Sequence, residues 1–203
     1  MQLETFMFIG RSGCGKGTQA KLLIEYLRKI DPEHDVFHLE TGAKFREFVK
    51  KKDVNYSSRL SAEIYDNGGL QPEFLTIRLW SDIFIDELRD DEHMVIDGTP
   101  RKLNEARVLD SAFKFYGRKK PHLLFLNISR EAATGRLASR RRIDDNSAEI
   151  KARLDWYETE VVKAIEFYRG NDDYHFLDIN AEQSVEDVHK EIVRLMFEAK
   201  EQS

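Results

Sequence analysis

Short apolar runs alternate with longer helical patterns along this chain, and that alternation limits the possible folds more than any other feature. The first run ends at Gly10, and a later one is broken by Gly98 and Pro100. Alternating apolar strands and helices are typical of a parallel sheet with helices on both faces, so we predict an α/β fold. The predicted strands are Thr5–Ile9, 36–39, 93–97, 123–128 and 174–179, and all of them except 36–39 are strongly apolar. The predicted helices are 17–30, 102–115, 130–141, 147–168 and 184–199.

The stretch between residues 41 and 89 is longer than one crossover helix requires. It contains several helical segments, interrupted at Asp53, at 67–69 and at Pro72. Part of this stretch is therefore expected to project as a subdomain. The chain has 203 residues without repeats or linkers, so we expect a single domain carrying a small insertion.

The charge balance argues against a general nucleic-acid surface, because the net charge is −5 at pH 7. One short basic stretch nevertheless predicts a local anionic partner. Its residues are Arg136, Arg140, Arg141, Arg142 and Arg153. No apolar run reaches membrane-spanning length, the first residues lack a secretory pattern, and one cysteine excludes an internal disulfide. We therefore expect a cytoplasmic protein.

The turn between the first strand and the first helix carries the pattern Gly-x-x-x-x-Gly-Lys at residues 10–16. Glycines allow the backbone N–H groups to point inward, and the following helix N-terminus favours an anion. Lys16 would reach the β- and γ-phosphates of a nucleotide, although a glycine-rich turn without a ligand is the alternative. The residues predicted to hold ATP here are Gly10, Ser12, Gly13, Cys14, Gly15, Lys16, Gly17 and Thr18.

Gly17 stands where this pattern usually has serine or threonine, so a Mg²⁺ ion would depend more on water and phosphate oxygens. Asp97 ends a predicted buried strand, at the edge of the sheet where ligands bind in open α/β folds. We predict that Asp97 holds Mg²⁺ through water. A turn-forming aspartate before Gly98 is the alternative.

Several other candidate residues are interpreted as structural. His93 and His122 have no carboxylate or cysteine at ligand spacing, so we expect no structural zinc site. Trp156 and Tyr157 sit at helical spacing and are interpreted as core residues. Cys14 occupies a permissive position of the glycine-rich turn, and we expect no special reactivity from it.

Segments along nearly the whole chain resemble the adenylate kinase family, in the order that the family has them. GCGKGTQA matches its phosphate loop, TGAKFR (41–46) its monophosphate-gripping segment, and GGLQP (68–72) the loop that closes the monophosphate pocket. DGTPR (97–101) is similar to the family's Asp-Gly-aromatic-Pro-Arg signature. The arginines between 136 and 153 resemble the lid and its following helix, and NAEQSV (180–185) the segment beside the donor base.

This resemblance implies a P-loop NTPase-type core of five parallel strands, formed by residues 1–39, 73–135 and 154–203. A helical monophosphate-binding insertion would occupy about 40–72, and a minimal lid about 136–153. The implied reaction is reversible transfer of the γ-phosphoryl group from Mg-ATP to a nucleoside monophosphate, with AMP as the expected acceptor. The expected partners are ATP, AMP and ADP, with neither nucleic acid nor membrane, and we expect a monomer.

The resemblance also assigns roles to residues around the transferred group. Phosphoryl transfer depends mostly on alignment and charge neutralisation, and the planar fork of arginine bonds two phosphate oxygens. The implied catalytic residues are Lys16, Arg101, Arg140, Arg142 and Arg153. Further contacts with ATP are implied for Arg136, Arg140 and Gln183. The implied AMP-binding residues are Thr41, Arg46, Gly69, Leu70, Gln71, Gly98, Arg101, Glu105, Arg142 and Arg153.

The lid and one signature position depart from the family pattern. Only Arg141 separates the two arginine clusters, so the lid is close to absent. Thr99 stands where the signature has an aromatic residue. A kinase of the same fold for CMP, UMP or GMP, a small-metabolite kinase and a nucleotide-binding regulatory module are therefore the alternatives.

Glu105 departs from the family at the residue that touches the acceptor base. Adenylate kinases usually have a glutamine there, which reads the adenine edge, whereas an ionised glutamate has only acceptors. We expect Glu105 to point to solvent while Asn104 or nearby backbone reads adenine. A protonated Glu105 and a preference for GMP are the alternatives.

Overall fold

The computed structural model describes residues 2–139 and 147–198, and five strands within them form one parallel sheet. The strands lie in the order β2-β3-β1-β4-β5, and every neighbouring pair is parallel. The predicted α/β fold with a five-stranded parallel sheet is confirmed. The strands are β1 Thr5–Ile9, β2 Asp35–Glu40, β3 Glu92–Asp97, β4 His122–Asn127 and β5 His175–Asn180.

Helices cover both faces of this sheet. Within residues 2–139 and 147–198 they are α1 Lys16–Ile30, α2 Thr41–Val49, α3 Tyr56–Asp66, α4 Glu73–Glu87, α5 Leu103–Phe115, α6 Arg130–Ser139, α7 Ser147–Trp156, α8 Val162–Arg169 and α9 Val185–Val193, with π-helical turns at Tyr157–Val161 and Arg194–Glu198. No helix in the described part of the chain combines the length and apolar character that crossing a membrane requires.

The central strand β1 divides the core into two layers. Phe6 and Phe8 pack on one face, in a cluster with residues of α1, α6, α7 and α9. Met7 and Ile9 pack on the other face, against α4, α5 and α8. Burying one such side chain contributes about 1.5–3 kcal/mol, so β1 is anchored from both sides. The turn that follows β1 is therefore held on a rigid support.

The prediction of a buried strand at 174–179 is wrong in one respect. Strand β5 lies at the edge of the sheet, paired only with β4. His175, Asp178 and Asn180 are exposed, and only Ile179 is fully buried. Its aromatic and aliphatic residues resembled those of a central strand, but an edge position leaves part of the strand in contact with solvent.

Asp31, His34 and His93 meet at the end of the sheet that lies away from the carboxyl ends of the strands. Their possible ligand atoms lie within 4.8 Å of one another, as in a metal site. However, Nδ1 of His93 accepts a hydrogen bond from the backbone N–H of Glu4 at 3.1 Å. The hydrogen of His93 therefore lies on Nε2, which donates to Asp31 Oδ2 at 3.1 Å. The cluster is a hydrogen-bonded link between α1 and β3.

Candidate active site

The carboxyl ends of β1, β2 and β3 open into a cavity of about 870 Å³. Glu40 and Asp97, the last residues of β2 and β3, contribute to its wall. A cavity of this size is typical of small-molecule sites, and the carboxyl edge of an open α/β sheet is where ligands bind.

Most of the predicted site residues that the structure describes line this cavity. They are Ser12, Gly13, Gly15, Lys16, Gly17, Thr18, Arg46, Gly69, Gln71, Asp97, Gly98, Arg101, Arg136, Arg153 and Gln183. Five predicted residues lie outside the cavity lining: Gly10, Cys14, Thr41, Leu70 and Glu105. Arg140 and Arg142 fall outside the described residues, as do all of residues 140–146 in the predicted minimal lid.

The glycine-rich turn folds around the side chain of Lys16. Gly15 precedes α1 with a φ of 101°, a left-handed conformation that favours glycine. At Gly10, a Cβ atom would lie only 2.6 Å from the carbonyl oxygen of Leu126, so only glycine permits this close approach. Nζ of Lys16 donates to the carbonyl oxygens of Gly10 and Arg11, each at 2.9 Å. The local sequence therefore fixes both the turn and the position of its cation.

Cys14 is buried beneath the turn with 2% of its surface exposed, and it belongs to the hydrophobic core. Its Sγ lies 3.5 Å from Nζ of Lys16. Cys14 therefore has a packing role, and its lack of special reactivity stays a prediction.

Arg11 supports the turn from outside, and the sequence analysis did not identify it. Its Nε donates to the carbonyl oxygen of Ile128 at 3.0 Å, and its guanidinium lies 4.2 Å from the ring centroid of Tyr157. It also pairs with Glu158. Tyr157 and Glu158 both belong to the π-helical turn between α7 and α8. A π-helical turn is wider than an α-helical one, so the helix is wider where Arg11 contacts it. Since these partners are far away in sequence, no local pattern predicts the contact.

Asp97 lies close to the start of α1, where the sequence analysis expected a metal-holding carboxylate. A Cβ atom at Gly17 would lie 3.2 Å from Oδ2 of Asp97, so the glycine leaves room for this carboxylate. Burial raises the pKa of Asp97, and the charge of Lys16 opposes that shift. A carboxylate beside a phosphate-binding turn suits Mg²⁺ bound through water. The residues present therefore fit this metal.

Arg101 is held in place by the loop that carries it. Its Nε donates to the carbonyl oxygen of Gly98 at 2.9 Å, and its guanidinium faces the ring of Trp156 at 5.7 Å. Burial lowers its pKa, while the nearby charges of Glu105 and Asp97 favour the charged form. A guanidinium retains its proton at neutral pH even in such surroundings. The arrangement is a fixed, charged fork inside the cavity.

Trp156 is half-buried and packs against the core, as interpreted from the sequence, but it also faces the cavity. Its side chain lines the cavity, and its Nε1 donates to the carbonyl oxygen of Gly68 at 3.1 Å. Helix α7 thus presents two side chains to the cavity, because Arg153 lies three residues earlier on the same face. Arg153 pairs with Glu149 at 3.7 Å. The spacing from Arg153 was the available signal that the sequence analysis did not use.

The loop at 68–72 is fastened to α3 by a side-chain amide. Oγ of Ser61 donates to Oε1 of Gln71 at 2.8 Å, and Nε2 of Gln71 donates to the carbonyl oxygen of Ser61 at 3.0 Å. Both groups are buried. The amide of Gln71 therefore holds its own loop, which leaves the neighbouring backbone to contact a ligand.

Arg136 and Gln183 meet at another part of the cavity wall. Nη2 of Arg136 donates to the backbone carbonyl of Gln183 at 3.3 Å. The side-chain amide of Gln183 donates to Asn180 and to Glu191 at 3.0 and 2.7 Å. The contact links α6 with the segment that follows β5, so the guanidinium of Arg136 is held at a fixed position in the cavity wall.

The expectation that Glu105 points to solvent is wrong. Its side chain is fully buried, with 0% of its surface exposed. Oε2 accepts from the backbone N–H of Arg101 at 3.0 Å and from Oγ1 of Thr99 at 3.2 Å, while Oε1 is buried without a hydrogen-bond partner. The two residues that depart from the family pattern therefore contact each other. Glu105 stabilises the loop that carries Arg101, as carboxylates in the first turn of a helix commonly do.

Removing the charge of Glu105 is expected to stabilise the protein increasingly as the pH rises. Burial raises the pKa of Glu105, against the opposing influence of the Arg101 N–H and guanidinium. An acid with a raised folded pKa contributes stability below its unfolded pKa and loses it as pH rises through the folded value. Glu105→Gln should therefore unfold at a temperature at least about 2 °C above the wild type at pH 8, but not at pH 4.

Thermal unfolding followed by circular dichroism between pH 4 and 8 measures this difference. Glu63→Gln is the control, since Glu63 is exposed on α3 and should give a constant difference across the range. A Glu105→Gln difference that is also independent of pH would mean that burial does not shift the titration of Glu105.

The comparisons with known proteins agree with this geometry. The sequence profile described as adenylate kinase matches residues 8–173, which include the phosphate loop and most of the cavity wall. The chain belongs to the adenylate kinase family. It is 30% identical over 191 residues to adenylate kinase 1 of Nostoc sp. strain PCC 7120, covering 94% of this chain and 97% of that protein. An adenylate kinase of Corynebacterium urealyticum is 30% identical over 182 residues, covering 90% and 93%.

A third relative, an adenylate kinase of Petrotoga mobilis, is 25% identical over 221 residues and covers 94% of this chain and 96% of itself. The likeness therefore spans almost the full length of each protein. Membership in the adenylate kinase family makes this chain a nucleotide-binding transferase of the nucleoside-monophosphate kinase class. Members of this family generally use ATP with Mg²⁺.

Proposed function

We propose that this protein transfers the γ-phosphoryl group of ATP reversibly to AMP. The bond between the γ-phosphorus and its bridging oxygen breaks, a phosphate oxygen of AMP takes its place, and both products are ADP. One observation carries the proposal: Lys16 shares a single cavity with Arg46, Arg101 and Arg153. Two nucleotides that meet through their phosphates repel each other, so the site needs cations for both. The relatives named adenylate kinase support AMP as the acceptor.

The donor nucleotide is proposed to bind through the turn at residues 10–18. Its inward N–H groups and Lys16 hold the phosphates, and Arg136 and Gln183 lie beside the donor base. When bound, Mg²⁺ neutralises charge on the phosphate oxygens, and Asp97 holds it through water. Gly17 supports this arrangement because its missing side chain gives the carboxylate room.

The acceptor is proposed to bind between the loop of Arg101 and the helical insertion at about 40–72. Arg46 and Arg101 hold its phosphate, Gly69 and Gln71 contribute to the wall around its base, and Arg153 approaches the transferring group. Arg140 and Arg142, which belong to the predicted minimal lid, are proposed to surround the same transferring group. The proposed working unit is a monomer.

The proposal is tested by incubating the protein with Mg-ATP and each of AMP, GMP, CMP and UMP in turn, and separating products by ion-exchange chromatography. We expect AMP to be consumed fastest, with about two ADP formed for each ATP lost. Faster consumption of GMP, CMP or UMP would move the assignment to that base. Nucleotide binding without turnover of any acceptor would contradict the proposed activity and favour a regulatory module.

A further inference from the structure

Glu40 forms an ion pair inside the cavity that the activity itself does not require. Its Oε1 accepts a hydrogen bond from Nη2 of Arg46 at 3.0 Å. Both side chains line the cavity, and about a third of each remains exposed, 37% for the glutamate and 36% for the arginine. The carboxylate thus occupies the same fork that a phosphate group would need.

The local fold brings these two side chains together. Glu40 is the last residue of β2 and directly precedes α2, so no loop separates strand from helix. Gly42 leaves space over the first turn of α2, where a Cβ atom would lie 3.3 Å from Nη1 of Arg46. The guanidinium therefore folds back towards the start of its own helix. A helix N-terminus together with a cation is a favourable place for an anion.

Glu40 places a negative charge at this favourable position. Its side chain makes no capping hydrogen bond to the first turn of α2 and pairs with Arg46. Glu40 is also the direct partner of Asp97 in the pairing of β2 with β3, so two carboxylates lie side by side at this edge. The negative charges of Glu40 and Asp97 repel each other, and a phosphate group added at this edge would increase that repulsion. The position therefore favours one anion at a time.

We propose that Glu40 is an intramolecular competitor for the acceptor phosphate and thereby determines how tightly the acceptor binds. The phosphate must displace the Glu40 carboxylate from Arg46 before it can use both nitrogens of the fork. The inference depends on the proposed role of Arg46 in holding the acceptor phosphate. It predicts that acceptor affinity is weaker than the cavity's cations alone would give.

The test measures binding of AMP by isothermal titration calorimetry to wild type and Glu40→Gln, which retains the shape of the side chain. A partly exposed ion pair has a modest free energy, so we expect the variant to bind AMP about 3- to 5-fold more tightly. The affinities for ATP and for adenosine, which has no phosphate, should stay within about twofold. An unchanged or weaker affinity for AMP in the folded variant would overturn the proposal.

Glu87→Gln is the matched control, because Glu87 of α4 pairs at 3.7 Å with Lys44, which lies on α2 as Arg46 does. Removing that exposed pair should leave AMP affinity unchanged. In an Arg46→Met background, most of the improvement in AMP binding by Glu40→Gln should disappear, since the shared target is gone. An improvement as large as that in the wild-type background would mean that Glu40 acts by general repulsion alone, which would refute competition for Arg46.

Turnover of AMP by the wild type distinguishes a failure of the competitor role from a failure of the proposed function. If the wild type phosphorylates AMP and Glu40→Gln does not bind it more tightly, the competitor role is wrong and the function stands. If the wild type does not use AMP, the assignment of Arg46 to this acceptor fails first, and the competitor role for AMP fails with it.

Discussion

Replacing Lys16 with methionine is expected to lower kcat by at least about 100-fold while the protein stays folded. Nζ of Lys16 lies within the glycine-rich turn, bonded to the carbonyl oxygens of Gly10 and Arg11. In the proposed function, Lys16 reaches from there to the phosphates on which charge develops during transfer. Methionine keeps the length of the side chain but removes the positive charge and all three N–H donors of the ammonium group. The loss should therefore fall on the chemical step more than on binding.

Initial rates of ADP formation at saturating ATP and AMP measure this effect, and thermal unfolding checks the fold. Lys29→Met provides the control, since Lys29 is exposed in the last turn of the same helix and should retain full activity. A folded Lys16→Met variant that keeps more than about a tenth of the wild-type kcat would remove Lys16 from the proposed machinery.

Replacing Arg101 with lysine is expected to reduce kcat/KM for AMP by about 100- to 1000-fold, although the positive charge is kept. The guanidinium is fixed by the carbonyl oxygen of Gly98 and by the ring of Trp156, so its remaining nitrogens point in set directions. Lysine offers a single mobile ammonium that cannot form two parallel hydrogen bonds to one phosphate. The fixed orientation of the cation and the paired hydrogen bonds to the proposed acceptor phosphate are therefore lost.

The affinity for ATP should change by less than about threefold in this variant, because the phosphate loop is untouched. Arg118→Lys is the control: Arg118 is also partly buried and donates to a backbone carbonyl, that of Glu92 at 2.8 Å. It lies at the opposite end of β3 from Asp97, so its replacement should affect stability without affecting kcat/KM. If both variants lost activity equally, Arg101 would have a structural role only.

The parallel sheet and the phosphate loop could both be predicted from the sequence, for a common reason. Strand β1 and the turn after it are encoded by neighbouring residues: a short apolar run, glycines that permit positive φ, and a lysine at fixed spacing. Such local signals do not depend on what packs against them. The family resemblance then supplied candidate arginines, and Arg46, Arg101, Arg136 and Arg153 all line the cavity.

The sequence alone therefore determined the succession of strands and helices along the chain, the glycine-rich turn after β1 and the four arginines that line the cavity. Only the tertiary structure decided that Glu105 is buried against Thr99, that Trp156 faces the cavity and that Arg11 meets a π-helical turn. It also decided that β5 is an edge strand. The surroundings of each of these residues include segments distant in the chain, or depend on how a loop folds back on itself. Propensity and periodicity describe single elements, whereas burial and charge pairing depend on which elements become neighbours.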